Sequence, residues 1–172
     1  GKGQVKVQPS SKPEEIWKNL GEKALILEGF INFSSEFSVI ASRSKDGQIS
    51  CFDPAENVHK DGILRTTTVP AHLTNQQKTE AVLITAKILE TLKYVGVIGI
   101  EFFLEKNSLV INEFAPRVHN SGHWKQNGCT VDQFEQHIRA ITGWKLGNAE
   151  RHSDVIMENL IGDEIYKTNQ LV

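Results

Sequence analysis

Apolar and polar positions alternate along Ser35–Arg43, S-E-F-S-V-I-A-S-R, which predicts a strand. Ahead of it, Ala24–Ile31 reads as a buried strand carrying Glu28, and Pro13–Leu20 as a short helix with Pro at its start and Gly21 just past its end. Gln48–Asp53 is a third strand, reached through the Lys45-Asp46-Gly47 turn. Glu56–Ile63 has no clear period and reads as an irregular segment ending in a turn, and Thr66–Val69 is a short β-branched strand stopped by Pro70. Thr74–Tyr94 carries the clearest 3.6-residue period: Ala81, Ile84, Ile88 and Leu92 share one face, Thr74-x-x-Gln77 is a capping box, and Gly96 lies beyond the end. A second helix is predicted over Val131–Thr142, capped by Thr130-x-x-Gln133 and closed by Gly143, with Phe134, Ile138 and Ile141 as its apolar stripe and His137 and Arg139 solvated. Val155–Ile161 is a last strand, and Asp163–Val172 reads as a linker. No repeat or low-complexity tract interrupts the pattern.

Between the helices lie two apolar runs, Val95–Leu104 and Leu109–Ile111, around a polar turn; they read as a β-hairpin. Each run holds a carboxylate, Glu101 in the first and Glu113 at the end of the second, and an unpaired buried charge is too costly to leave uncompensated. A two-residue turn at Lys106-Asn107 would oppose Glu101 to Asn112. A three-residue loop, Lys106-Asn107-Ser108, would oppose it to Glu113, with Cβ atoms about 4.5–5.5 Å apart. The odd loop is the expectation taken here. Two carboxylates that close either share a proton or hold a cation. Oxygen ligands, with Asn112 beside them, select Mg2+ or Mn2+ over zinc. The bland alternative is a pair of strand-end glutamates facing water.

Composition adds limits. The chain has 172 residues, 39% of them apolar and 23% charged, as in an ordinary soluble globular protein of about one domain, able to bury roughly 70% of its unfolded surface. A net charge of -2 offers no basic stripe for nucleic acid, and Glu101 breaks the longest apolar run, so no membrane span is expected. Cys51 and Cys129 make no disulfide framework, which suits a reducing cytoplasm. The opening Gly1-Lys2-Gly3-Gln4 is polar, without a signal peptide, and the lack of an initiating Met reads as a piece of a longer protein.

After Glu113 comes Ala115-Pro116-Arg117-Val118-His119-Asn120-Ser121-Gly122-His123-Trp124, a loop rich in groups that bind anions and move protons. A polar surface loop, or a zinc site built from His119, His123 and Cys129, are the alternatives. N-E-F-A-P-R-V-H-N-S-G-H-W, preceded by Y-V-G-V-I-G-I-E-F-F, closely resembles the ATP-grasp domain of N5-carboxyaminoimidazole ribonucleotide synthetases, and the likeness runs from Gly1-Lys2-Gly3-Gln4 to Met157–Gly162.

That resemblance implies an α+β ATP-grasp fold, a mainly antiparallel sheet with helices packed on one face. Residues 1–162 would be a partial ATP-grasp domain, followed by a linker at 163–172 toward a C-terminal domain. It further implies an ATP-dependent ligase of purine synthesis that carboxylates 5-aminoimidazole ribonucleotide with bicarbonate through carboxyphosphate, commonly as a homodimer. By the same resemblance Gly1, Lys2, Gly3 and Gln4 fold over the ATP phosphates. Glu28, Gly29, Phe30 and Ile31 form the adenine hinge, Glu36 accepts from the ribose hydroxyls, and His59 lies near the nucleotide. Glu101 and Glu113, with Asn112, would hold Mg2+ against the β- and γ-phosphates. Arg117 would hold the oxyanions, while His119 and Asn120 orient bicarbonate or the amine, His119 as a candidate proton carrier. Ser121, Gly122 and His123 complete the motif without separate roles. Without its companion domains the piece is expected to have little ligase activity. Another ATP-grasp ligase would share the carboxylates and hinge but not the A-P-R-x-H-N-S-G-H loop; a non-catalytic binding or dimerisation module is the alternative from a different class.

Overall fold

β1 (Ser35–Arg43) is the axis of the molecule, because both its faces find apolar cover and both its edges find partners. Its strand is matched residue for residue by β5 (Gly96–Glu105), from Ser35 opposite Leu104 to Arg43 opposite Gly96. The computed structural model describes residues 3–170, and among these seven strands form one antiparallel sheet. Its order is β6 (Ser108–Ala115), β5, β1, β3 (Ala55–Lys60), β4 (Ile63–Val69) and β7 (Val155–Glu158), with the short β2 (Ile49–Cys51) also on β1.

Alternation sends successive side chains to opposite faces. Phe37, Val39 and Ala41 of β1 join Ile98, Ile100 and Phe102 of β5 beneath Ala81 and Leu89 of α2 (Asn75–Leu92). Burying each of the larger side chains among these contributes about 1.5–3 kcal/mol. The intervening Ile40 and Val97 belong to a second core with Phe52, Val69, Trp124 and Cys129 on the other face. Ser38 and Glu36 share that second face by their spacing. The expected antiparallel α+β architecture is therefore present, and α2 is the helix of one face. The other face is covered by the segment after β6, which includes α3 (Lys125–Gly128) and is braced by α4 (Gln133–Thr142).

α1 (Pro13–Asn19), the bounds of β1, the Thr74–Gln77 capping box of α2 and the left-handed Gly143 after α4 follow the sequence pattern. Several readings are corrected. Residues 24–31 form no strand; Ile26 and Leu27 are each 87% exposed, because no other chain segment pairs with this stretch among the described residues. The supposedly irregular Glu56–Ile63 is most of a β-hairpin, β3 and β4, turning at Asp61-Gly62. Its inward position is Asn57, whose side-chain amide oxygen accepts from the Thr67 hydroxyl at 3.0 Å, so the apolar alternation is inverted. Asp132, not Thr130, caps α4, accepting from the Phe134 and Glu135 amides. Residues 162–170, within the stretch read as a linker, form a 3-10 helix whose Glu164 ion-pairs with Arg65 of β4 at 2.8 Å; 171 and 172 lie outside the described residues.

α4 departs furthest from its pattern. Gln133, Gln136 and Ala140 face inward, while Phe134, Ile138 and Ile141 are exposed. The Gln133 amide donates to the His119 carbonyl (2.7 Å) and accepts from its N–H (2.9 Å); Gln136 does the same for Gly147, at 3.0 and 2.8 Å. Each side chain stands in for a peptide group of a missing strand, which satisfies backbone that a buried loop would otherwise leave unpaired. His137 is not solvated either: its Nδ1 accepts from the Val97 N–H at 3.1 Å.

Candidate active site

Glu113, Glu101 and Ser38 are successive cross-strand partners on β6, β5 and β1, and so form one polar row across the second face of the sheet. The turn at Lys106-Asn107 has two residues, with Lys106 left-handed at φ 56°, not the three expected. The odd residue sits further along, where Phe102 pairs with Ile111 but Glu101 pairs with Glu113, leaving Asn112 as the extra member of a β-bulge. The carboxylate pair is as expected; the device that makes it is different.

Over this row lies the loop after β6. His119 is buried, and ligand atoms of Glu101, Glu113 and His119 lie within 4.8 Å of one another. His119 Nε2 is 3.7 Å from Glu101 Oε1, too far for a hydrogen bond, and its Nδ1 is 2.8 Å from Ser121 Oγ. Space for the ring comes from Gly99, where a Cβ would lie 2.8 Å from that of His119. A Cβ on Gly122 would collide with the Gln133 amide that holds the loop.

The electrostatics are consistent with a cation site. Burial raises the Glu101 pKa, and the charges of Glu113 and Glu36 push the same way, while His59 and a hydrogen bond from Asn112 oppose them. His59, beside a second bulge on β3, is ion-paired with Glu36, and this bond raises its pKa. Burial takes His119 down to about 4, helped by the positive neighbours Arg117 and Lys125, so the imidazole is neutral near pH 7 and its approach to Glu101 is not an ion pair. Two carboxylates and an amide fit a hard divalent ion better than a soft one. Glu36, His59, Glu101, Asn112, Glu113 and His119 are thus brought together.

Others are not. Arg117 is exposed and its guanidinium donates to the Val118 carbonyl at 2.9 Å. Asn120 opens a short 3-10 turn, Asn120–Gly122, and its backbone carbonyl accepts from His123. Gly3, Gln4, Glu28, Gly29, Phe30 and Ile31 have no hydrogen bond or ion pair to the carboxylate row; Lys6 lies over the Phe30 ring at 3.7 Å. Gly1 and Lys2 lie outside the described residues. The zinc alternative has no support: His123 stacks on Phe134, and the Cys129 thiol faces the Ala149 carbonyl. Four residues escaped the pattern reading. Ser38 and Gln133 shape the site; a hydroxyl in the middle of an apolar strand was the available sign for the first, and Gln133 was absorbed into a false capping box. Lys125 is fully buried with its ammonium over the Trp124 and Phe52 rings (4.3 and 4.8 Å), unpartnered among the described residues, and Trp124 Nε1 is unpartnered beside it.

An ATP-grasp domain pattern matches residues 1–134. The chain belongs to the ATP-grasp family. It is 52% identical over 170 residues to an N5-carboxyaminoimidazole ribonucleotide synthase of Brucella melitensis, covering 97% of this chain and 47% of that relative. A solved N5-carboxyaminoimidazole ribonucleotide synthetase, described as an ADP complex, superimposes with a TM-score of 0.93 at 37% identity, over 99% of this chain and 46% of that one. An Aspergillus clavatus N5-carboxyaminoimidazole synthase in complex with ADP and 5-aminoimidazole ribonucleotide gives 0.77 at 27% identity, over 92% and 45%. The chain therefore spans a little under half the length of these relatives. Among the described residues no helix is long and apolar enough to cross a membrane.

Proposed function

We propose that this chain supplies the metal and phosphate end of an ATP-dependent ligase, N5-carboxyaminoimidazole ribonucleotide synthase. The intact enzyme would be cytoplasmic and homodimeric, acting on ATP, bicarbonate and 5-aminoimidazole ribonucleotide. The observation that carries this reading is the opposed Glu101–Glu113 pair beneath the buried His119.

Glu101 and Glu113, with the Asn112 amide, are the residues that would hold Mg2+ (or Mn2+), which neutralises charge as the γ-phosphoryl group moves. A bicarbonate oxygen attacks the γ-phosphorus and ADP leaves. The ribonucleotide amine then attacks the carboxyl carbon of carboxyphosphate, and phosphate departs with the C–O bond electrons while the amine loses a proton. Glu36 and His59 face the nucleotide from neighbouring strands. Gly1, Lys2, Gly3 and Gln4 would close over its phosphates, and Glu28, Gly29, Phe30 and Ile31 over its base. Arg117 would swing from the surface onto the oxyanions, while Asn120 and His119 orient the acceptor. This chain by itself would have little ligase turnover.

The test is Mg2+-dependent ATP binding, repeated with Glu101→Gln and Glu113→Gln. Each variant should weaken binding by about 10–100-fold. Unchanged binding in both would leave a non-catalytic module as the better reading. In the intact enzyme, ATP hydrolysis should require both bicarbonate and the ribonucleotide.

A further inference from the structure

Ser121 Oγ lies 2.7 Å from Ser38 Oγ and 2.8 Å from His119 Nδ1, and all three residues are buried. The direction of this chain can be assigned by counting protons. Each hydroxyl has one to donate. Ser121 is the only partner of the Ser38 hydroxyl among the described residues. If Ser38 accepted from Ser121, its own proton would have no acceptor among the described residues, at a cost of about 1–3 kcal/mol. Ser38 therefore donates to Ser121, and Ser121 spends its proton on His119 Nδ1. That nitrogen is an acceptor, so the ring proton sits on Nε2.

Nε2–H then points toward Glu101 Oε1 at 3.7 Å. The ring cannot turn away, because Gln133 holds the His119 N–H and C=O together and the ring lies against Gly99.

We infer that Ser38 and Ser121 are positioning residues that fix the His119 ring in the tautomer with its proton on Nε2, facing the Glu101 carboxylate. The kinetic consequence in the intact enzyme rests on the ligase reading; the tautomer does not. Nitrogen-15 NMR of histidine-labelled protein, with His119 assigned by the loss of its signals in His119→Gln, should show an unprotonated Nδ1 and a protonated Nε2. A proton on Nδ1 overturns the inference whether or not the enzyme is a ligase. In the intact enzyme, Ser121→Ala should lower kcat by about 10–100-fold and leave KM for ATP within about twofold. Ser38→Ala should do the same more weakly and populate the second tautomer in the NMR spectrum. A rise in KM for ATP with no change in kcat would overturn the positioning role. Absence of any bicarbonate-dependent turnover in wild type would instead remove the ligase reading, with the NMR result still standing.

Discussion

Glu101 and Glu113 are direct cross-strand partners, and one surplus residue between Ile111 and Glu113 makes them so. From Glu105–Ser108 to Phe102–Ile111 the hairpin runs in regular register, and continuing it would put Asn112 opposite Glu101. The bulge instead offers Glu101 two neighbours, the Glu113 carboxylate and the Asn112 amide that bonds it. One increases the demand for a cation and the other relieves it.

The pair should be visible as a pH-dependent strain in metal-free protein. Burial, then the Glu113 charge, holds the Glu101 pKa above its usual 4.5. A raised acid pKa contributes stability below its unfolded value and loses it as pH rises through the folded one. Chemical denaturation in EDTA should therefore show wild type falling relative to Glu101→Gln as pH increases from about 4.5. Mg2+ should reverse the difference at neutral pH, because it binds the ionised pair.

His119 should act with the opposite sign. Burial depresses its pKa from 6.5 to about 4, so between these values the unfolded chain binds the extra proton. Its stabilising contribution is complete above pH 6.5 and is lost toward pH 4. His119→Gln should flatten the stability profile in that window, measured against wild type without metal.

Lys125 predicts a stabilising substitution. Burial pushes its ammonium down to about 7, with Cys129 and Asp53 only partly opposing. Replacement by Met keeps the volume and removes the desolvated charge. Lys125→Met should raise stability at pH 6 by an amount on the order of 1–4 kcal/mol. It should also abolish the rise in wild-type stability as pH climbs from about 7 toward 10.5.

Gln133→Ala removes both hydrogen bonds on the His119 backbone and leaves two buried groups unpaired. Urea unfolding should show a loss of about 2–4 kcal/mol. Mg2+-dependent ATP binding should weaken further than that of a surface control such as Lys87→Ala.

Much of this was legible because it obeys local rules. β1 alternates, α2 is boxed at Thr74, and a carboxylate in each strand of an apolar hairpin demands explanation. The exceptions share a cause. At Asn57, Gln133 and Gln136 a polar side chain is buried because it serves another segment's hydrogen-bonding groups, and no period along one segment records that. The Glu101–Glu113 pairing could be expected from sequence but its surplus residue not located, since a three-residue loop and a bulge at Asn112 give the same pair. Residues 24–31 have a strand's composition, but a strand needs a partner, and among the described residues none pairs with them.

The inverted dress of α4 has a practical side. An engineer following the usual recipe would exchange Gln133 and Gln136 for leucine and trim nothing outside. That would sever four main-chain links to two loops and loosen the reactive one. The profitable edit is on the rim: Ile138 and Ile141 lie open to water, and exchanging them for lysine or glutamate should curb clumping at high concentration without touching the pocket.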